Sequence, residues 1–302
     1  MRTVGIIGLG CIGGSLGLSL TGRQGWHVLG YDTDRKAMER ALERGACHSV
    51  AGSQKQLAEE CQIVVIAVPC SEIAGVAREV APAMKSGHVL TDTGSVKKPL
   101  LDQVLPYLPE GVTFVGGHPM AGSEKWGIES ASHELFKGAT WVLTPTSPIQ
   151  SATRSALKVL KEMVRAVEAV PLVSDAAEHD AVVAFTSHLP YIASLALALT
   201  ARTGAMRYEL VRQLVAGGFR DMTRLARSRP GMASDYVVMN RNSLISAINE
   251  FQKQLDVMKS AIEAGDGRAL RSAATEAGRY LESVNWGKYN ANNPSSETYG
   301  AG

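Results

Sequence analysis

The chain has 302 residues, and its 31 Lys and Arg residues against 29 Asp and Glu residues leave a formal net charge of +2. At about 100–200 residues per domain, this length predicts about two domains. A hydrophobic content of 45% and a charged content of 20% are typical of a globular protein with real cores. The near-neutral balance argues against nucleic acid and against a polybasic membrane surface, so we expect a small-molecule partner.

Four cysteines are spread along the first part of the chain and form no Cys-x-x-Cys pair, which argues against zinc ribbons and dithiol redox sites. We therefore expect no metal site and a reducing compartment. A strand pattern begins at once and leaves no room for a signal peptide. The best apolar run, residues 189–200, is interrupted by Pro190 and followed by Arg202, which argues against a membrane span. These features predict a cytoplasmic protein.

Strand and helix patterns alternate from the N-terminus to about residue 173. The expected strands are 3–9, 27–32, 63–69, 88–92, 113–116, 140–144 and 169–173. The expected helices follow the glycine cluster near residue 10 and then cover 34–45, 71–84, 97–107 and 151–165. Because strands and helices alternate with short links, this half is predicted to be an α/β domain with a doubly wound parallel sheet.

After residue 173 the pattern is helical only, beginning at Asp175 with Glu178 three positions on. Pro230 is expected to start a helix that carries an apolar stripe at spacings of three and four residues, which suits either a bundle core or a subunit interface. The stripe consists of Leu244, Ile248, Phe251, Leu255, Met258 and Ile262. We predict three parts: a nucleotide-binding domain at 1–173, a helical domain at 174–286, and a disordered polar tail at 287–302.

Residues 8–13 read Gly-Leu-Gly-Cys-Ile-Gly and match G-x-G-x-x-G between a strand and a helix, in a unit whose second strand ends in Asp32. This context predicts a dinucleotide site. Asp32 can accept hydrogen bonds from ribose hydroxyls and would repel a 2′-phosphate, so NAD is expected over NADP, although Arg35 nearby leaves NADP open. The expected cofactor-binding residues are Gly8, Gly10, Cys11, Ile12, Gly13, Asp32, Val68, Pro69 and Thr93.

Polar segments at 91–97 and 116–124 follow strand carboxyl ends, where open α/β sheets bind ligands. His118 is expected on a loop, between glycines and a proline, and His188 lies on a helix beside Pro190, which disturbs the helix. Both are candidate site residues. The remaining histidines, His27, His48, His88, His133 and His179, are expected to be structural. Arg220 and Arg224, four residues apart, are expected on one helix face, as a clamp for a substrate carboxylate.

The glycine-rich turn and the segments 91–97, 116–124, 187–190 and 217–224 together resemble those of the prephenate/arogenate dehydrogenase family. The resemblance extends over about residues 3–285. The resemblance implies a Rossmann-like domain followed by a helical domain that forms a homodimer, which favours the interface interpretation of the stripe. It also implies NAD(P)-dependent oxidative decarboxylation of a cyclohexadienol to a phenol.

The resemblance further implies a role for individual residues. His118 would be the general base, and imidazole chemistry near neutral pH agrees with that role. Ser95 would lie between this histidine, the alcohol and the nicotinamide. Arg224 would hold the ring carboxylate, His188 would orient the substrate, and Glu124 would form a polar gate near the arginine.

The expected reaction is conversion of prephenate to 4-hydroxyphenylpyruvate. Three alternatives stay open: the same reaction on arogenate, a reductase of the β-hydroxyacid or pyrroline-carboxylate kind, and an NAD-binding sensor without turnover. A sensor has no use for a base beside the nicotinamide, which argues against the last of these.

Overall fold

The structure, a computed structural model, describes residues 1–122, 126–146, 150–228 and 230–284. Within this part of the chain, eight strands form one sheet in the order β3-β2-β1-β4-β5-β6-β7-β8. The strands are β1 (Arg2–Ile7), β2 (Trp26–Tyr31), β3 (Ser49–Val50), β4 (Ile63–Ile66), β5 (Val89–Asp92), β6 (Thr113–Pro119), β7 (Thr140–Pro145) and β8 (Val170–Val173).

Helices cover both faces of this sheet and then continue alone. The helices of the sheet domain are α1 (Cys11–Thr21), α2 (Arg35–Glu43), α3 (Gln54–Glu60), α4 (Cys70–Val80), α5 (Lys98–Val104) and α6 (Ser151–Ala166). The helices that follow are α7 (Ala176–Val183), α8 (Leu189–Ala205), α9 (Gly217–Met222), α10 (Pro230–Met239), α11 (Arg241–Glu263) and α12 (Gly267–Ser283). The prediction of a doubly wound sheet followed by an all-helical half is confirmed.

The sheet separates two hydrophobic cores, and consecutive strand residues enter opposite ones. Val65 belongs to the core that contains residues of α1 and α6, whereas its neighbours Val64 and Ile66 belong to the core formed with α3, α4 and α5. This explains why β4 is apolar at every position: a parallel strand covered on both faces has no polar side.

One strand pair departs from the expected parallel arrangement. β6 and β7 are antiparallel, with Gly117 opposite Leu143 and His118 opposite Val142. A parallel pair needs a long crossover that usually contains a helix. The described residues between β6 and β7 contain only a short 3₁₀ turn, Ile128–Ser130.

Two small elements, β3 and α3, were missed by the sequence analysis. β3 has two residues, and α3 has seven, of which only Leu57 and Ala58 are buried. Elements this short carry too few apolar positions to show a periodicity.

Residues Ala176–Ala205 form one helical run of 30 residues with mean hydropathy 1.6 in its most apolar window, 28% of which is buried. By length and composition this run could cross a membrane, so the expectation that no segment would qualify was wrong. A helix covered by other helices in a globular protein meets the same criterion.

The apolar stripe lies on α11, which is separated from α10 at Asn240 rather than continuing from Pro230 as expected. Leu244 at its start is buried, but Phe251, Leu255 and Ile262 are 38%, 48% and 65% exposed. α12 follows α11 without burying a residue. Most of the stripe is therefore not an internal core of the single chain.

Candidate active site

The glycine turn, residues 8–13, joins β1 to α1 in a conformation that two of its glycines require. Gly8 has φ +95°, and a Cβ there would lie 2.6 Å from the carbonyl oxygen of Ala67. A Cβ on Gly13 would lie 1.9 Å from the carbonyl oxygen of Gly8. Gly10, in contrast, has open space around it, and it begins α1 with no side-chain cap. The turn thus leaves the N-terminus of an 11-residue helix accessible to a phosphate group.

The carboxylate of Asp32 is held over this turn at the end of β2. Its Oδ2 accepts a hydrogen bond from the Leu9 amide at 2.7 Å, and its Oδ1 accepts one from the Asp34 amide at 2.9 Å. Each oxygen keeps further acceptor capacity for a ribose hydroxyl. Arg35 is exposed and pairs with Glu39 at 3.2 Å. The residues present therefore fit an adenine dinucleotide.

The other predicted cofactor residues lie at adjacent strand ends. The Thr93 amide donates to the carbonyl oxygen of Ile66 at 3.1 Å, which joins the ends of β4 and β5. Pro69 is the N-cap residue of α4, and the Ser95 amide donates to Sγ of Cys70, the first residue of that helix, at 3.2 Å. Ser95 is therefore near the strand ends, as expected, and its predicted contact with substrate stays a prediction.

A buried ion pair that the sequence analysis did not single out joins the end of β5 to β6. Lys97 and Asp92 are 1% and 0% exposed, and Nζ of Lys97 donates to the Asp92 carboxylate and, at 2.6 Å, to the Gly117 carbonyl oxygen. Asp92 also accepts from the amides of Gly94 at 2.8 Å and Gly117 at 3.1 Å. The segment after β5 is thereby tied to the residue just before His118.

His118 lies on β6 rather than on a loop, so the predicted placement was wrong. The prediction ended the strand at Gly116 because glycines and a proline usually break strands. Here the Gly residues are needed for close packing, since a Cβ on Gly117 would lie 2.4 Å from the Asp92 carbonyl oxygen. Burial lowers the pKa of His118 well below its usual value, and the nearby Lys97 ammonium acts in the same direction. His118 is therefore neutral at neutral pH and can accept a proton.

A second histidine, His179, contacts His118 and was expected to be structural. Its Nε2 lies 2.8 Å from Nδ1 of His118, and its own Nδ1 lies 2.8 Å from Oδ1 of Asp180. All three side chains are buried. The available signal was the His-Asp pair in the first helix of the helical half, about two turns before the Ser-His-Leu-Pro motif, but only the fold shows that it faces β6.

His188 is fully buried where the long helical run changes its winding. The residues Ala184–His188 form a π turn, a feature frequently found at functional sites. Its Nδ1 lies 3.2 Å from Nδ2 of Asn240, its ring stacks on Tyr236, and its Nε2 has no partner among the described residues. Burial is the main cause that lowers its pKa to about 4; Asp180 opposes the shift and His179 adds to it.

The two arginines do not share one helix face, which corrects the prediction. α9 ends at Met222, where the hydroxyl of Thr223 donates to the Phe219 carbonyl oxygen at 2.7 Å, and Arg224 begins a separate 3₁₀ turn. Arg220 is exposed and pairs with Asp221 at 3.3 Å.

The turn that carries Arg224 is fixed to α8, since the Ala226 amide donates to Oγ of Ser194 at 3.0 Å. Arg224 is thereby linked to the helix that follows His188. Glu124 lies outside the described residues. Among the described residues there is no group of three or more His, Cys, Asp or Glu side chains placed to hold a metal.

Two family models cover most of the chain. Residues 16–173 match the model described as the nucleotide-binding domain of prephenate dehydrogenase, and residues 175–275 match the model of its dimerization domain. The chain is also 32% identical to the prephenate dehydrogenase of Bacillus subtilis (strain 168) over 270 residues, which are 89% of this chain and 72% of that protein.

Two solved structures are similar over nearly the whole chain. Prephenate dehydrogenase from A. aeolicus, in complex with hydroxyphenyl propionate and NAD⁺, aligns with a TM-score of 0.82 at 28% identity and covers 93% of this chain and 98% of that one. Synechocystis arogenate dehydrogenase aligns with a TM-score of 0.80 at 26% identity and covers 94% of this chain and 100% of that one.

Proposed function

The chain belongs to the prephenate dehydrogenase family, and on that premise we propose that it converts prephenate to 4-hydroxyphenylpyruvate by NAD-dependent oxidative decarboxylation. The observation that carries the proposal is the position of His118. It is a buried, neutral imidazole near the carboxyl end of β6, and because β1, β4, β5 and β6 are parallel, it lies at the same edge of the sheet as the dinucleotide turn that follows β1.

The glycine turn and Asp32 would hold the adenosine and pyrophosphate parts of NAD. The open backbone at Gly10 admits the pyrophosphate to the N-terminus of α1, and Asp32 accepts the ribose hydroxyls. When bound, NAD would supply the acceptor for the hydride that leaves the ring carbon carrying the alcohol. The carboxylate of Asp32 disfavours a 2′-phosphate, and we infer a preference for NAD over NADP.

His118 acts as the general base. It accepts the proton of the ring alcohol as the hydride leaves the same carbon. The electrons of the bond to the ring carboxylate then complete the aromatic ring, and carbon dioxide is released. Because burial keeps the pKa of His118 low, the ring is in its accepting form at neutral pH.

The helical half would supply the groups that orient the substrate. Arg224 binds the ring carboxylate, a task that suits a guanidinium because it can donate two parallel hydrogen bonds. His188 presents its buried, unpartnered Nε2 to the substrate. Ser95 and Glu124 keep the roles assigned to them by resemblance, and Arg220 on α9 is a second arginine for the substrate carboxylate.

The exposed stripe of α11 supports a homodimer formed through the helical half. Phe251, Leu255 and Ile262 would be covered by a second copy of the chain, as would parts of the long apolar run Ala176–Ala205. The four cysteines are all free thiols, which agrees with a cytoplasmic location.

Arogenate is the second candidate substrate, favoured by the similarity to the Synechocystis arogenate dehydrogenase structure. The test is a spectrophotometric assay that crosses prephenate and arogenate with NAD and NADP. The proposal requires the highest kcat/KM with prephenate and NAD. A higher value with arogenate would transfer the assignment to the second candidate, and no reduction of either cofactor with either substrate would refute both.

A further inference from the structure

A line of three buried groups leads from the helical half to the proposed base. Asp180 holds His179 at 2.8 Å, and His179 in turn reaches Nδ1 of His118 at 2.8 Å. The exposed fractions of Asp180, His179 and His118 are 4%, 3% and 8%, so water competes little for these contacts.

The hydrogen-bond partners of Asp180 determine where the protons lie along this line. Its Oδ1 accepts from the Lys97 amide at 2.7 Å, and its Oδ2 accepts from the Lys98 amide at 2.9 Å. A carboxylate surrounded by donors acts as an acceptor only, so Nδ1 of His179 must carry a hydrogen.

In a neutral imidazole the second nitrogen is then an acceptor. Nε2 of His179 therefore receives a hydrogen bond from Nδ1–H of His118. It follows that Nε2 of His118 carries a lone pair and no hydrogen. With the opposite tautomer, His118 would meet a substrate hydroxyl as a donor and could not take its proton.

We propose that His179 is a positioning residue that, anchored by Asp180, holds His118 in the tautomer with an unprotonated Nε2. The tautomer follows from the hydrogen bonds alone, and only its effect on turnover rests on the proposed function. The same contact would also strengthen as His118 gains the substrate proton, because a hydrogen bond from an imidazolium is charge-assisted and the Asp180 carboxylate lies one ring away.

Asn240 extends the arrangement to the second histidine of the site. Its Nδ2 donates to the Asp180 carbonyl oxygen at 2.7 Å and faces Nδ1 of His188 at 3.2 Å. An amide NH₂ has only hydrogens to offer, so Nδ1 of His188 accepts and its Nε2 carries the hydrogen. The contacts made through Asp180 therefore leave Nε2 of His118 as an acceptor and Nε2 of His188 as a donor.

The first test compares three variants in steady-state kinetics. His179→Leu removes both hydrogen bonds and is expected to lower kcat by about 10-fold to 10³-fold, within the range that a general base contributes, with KM changed by less than about threefold. His179→Gln can still accept from His118 and donate to Asp180, and it should restore kcat to within about tenfold of wild type. His133→Leu, at an exposed histidine, is the matched control and should match wild type.

Nitrogen-15 NMR of the imidazoles tests the tautomer without any substrate. In the wild-type protein, at a pH where the ring is neutral, His118 should show a protonated Nδ1 and an unprotonated Nε2. In His179→Leu this preference should be lost, whereas His179→Gln should keep it. Circular dichroism and thermal unfolding show whether each variant is folded. If His179→Leu does not fold, the kinetics and the tautomer of His179→Gln provide the test.

The outcomes separate the inference from the proposed function. A wild-type His118 with hydrogen on Nε2, or a His179→Leu variant with wild-type kcat, would overturn the positioning role. A protein that reduces no cofactor with either substrate but shows the expected tautomer would refute the function and leave the positioning role standing.

Discussion

The sheet domain and the helical half differ in how completely each buries its own apolar side chains. The sheet domain encloses large side chains such as Trp141, Phe114 and Phe136 at 1% exposure or less, and its exposed apolar side chains, such as Trp126 and Val170, are fewer than its buried ones. The helical half leaves Phe251, Leu255 and many others uncovered. This difference predicts that the sheet domain draws its stability from contacts within one copy, whereas the helical half would gain from a partner surface that removes its apolar area from water.

The site is divided between the halves in the same way. The proposed base lies on β6 and the cofactor residues lie near strand ends of the sheet domain, whereas His188 and Arg224, proposed to orient the substrate, lie in the helical half. We therefore expect substitutions in the sheet domain to affect turnover, and substitutions in the helical half to affect substrate binding and assembly.

Replacement of the proposed base should give the largest change. His118→Asn is expected to lower kcat by about 10²-fold to 10⁴-fold, because the variant cannot accept the proton of the alcohol. NAD affinity, measured by fluorescence titration, should stay unchanged. Turnover near the wild-type level would remove His118 from the mechanism.

Two leucine truncations test the difference in burial directly. Leu160→Ala, on α6 and fully buried, should lower the free energy of unfolding by about 2–5 kcal/mol. Leu255→Ala should cost the single chain far less and should instead weaken dimer formation. Chemical denaturation and sedimentation at several protein concentrations measure the two effects, and equal losses of unfolding free energy at low concentration would contradict the comparison.

Acid should destabilise the protein partly through His188. Its pKa is about 4 in the folded chain and about 6.5 when unfolded, so as the pH falls the unfolded state binds a proton first. Above about pH 7.5 His188 is neutral in both states and does not change the free energy of unfolding with pH. Between about pH 6.5 and 4 its protonation should lower the free energy of unfolding, by on the order of 3 kcal/mol in total. His188→Phe, which keeps the ring on Tyr236 and cannot titrate, should show a smaller decline over this interval; an identical decline would exclude His188 as its cause.

Loss of the proposed carboxylate clamp should act on binding. Arg224→Ala is expected to raise KM for the substrate by about 10-fold to 10²-fold, the equivalent of one charge-assisted contact, with a smaller effect on kcat. Arg220→Ala, at the exposed arginine of α9, is the matched comparison and should change KM less. Equal effects, or an unchanged KM in Arg224→Ala, would refute the clamp.

The smallest expected effect concerns cofactor choice. Asp32→Ser should reduce the preference for NAD over NADP by several-fold, because serine accepts a ribose hydroxyl but does not repel a phosphate. The substitution also removes the carboxylate that accepts the Leu9 and Asp34 amides, so thermal stability is measured in parallel. Unchanged selectivity in a folded variant would count against the ribose contact.

The strong periodic signals of the sequence were enough to predict the architecture. Apolar runs such as Ile63–Ile66, the glycine turn and the change to helical spacing after residue 173 report local preferences that the tertiary structure does not override. The two-residue β3 and the break at Asn240 were missed, since neither changes the hydrophobic pattern over a full window.

The amino-acid sequence alone determined the fold class, the dinucleotide turn and the identity of the candidate base, because each depends on residues close together in the chain. Only the tertiary structure decided that His118 lies on a strand, that Arg220 and Arg224 belong to different helical segments, and that His179 and Asp180 lie behind the base. The hydrogen bond between His118 and His179 joins residues 61 positions apart and depends on how β6 packs against α7. A local sequence pattern does not show which distant residues come into contact.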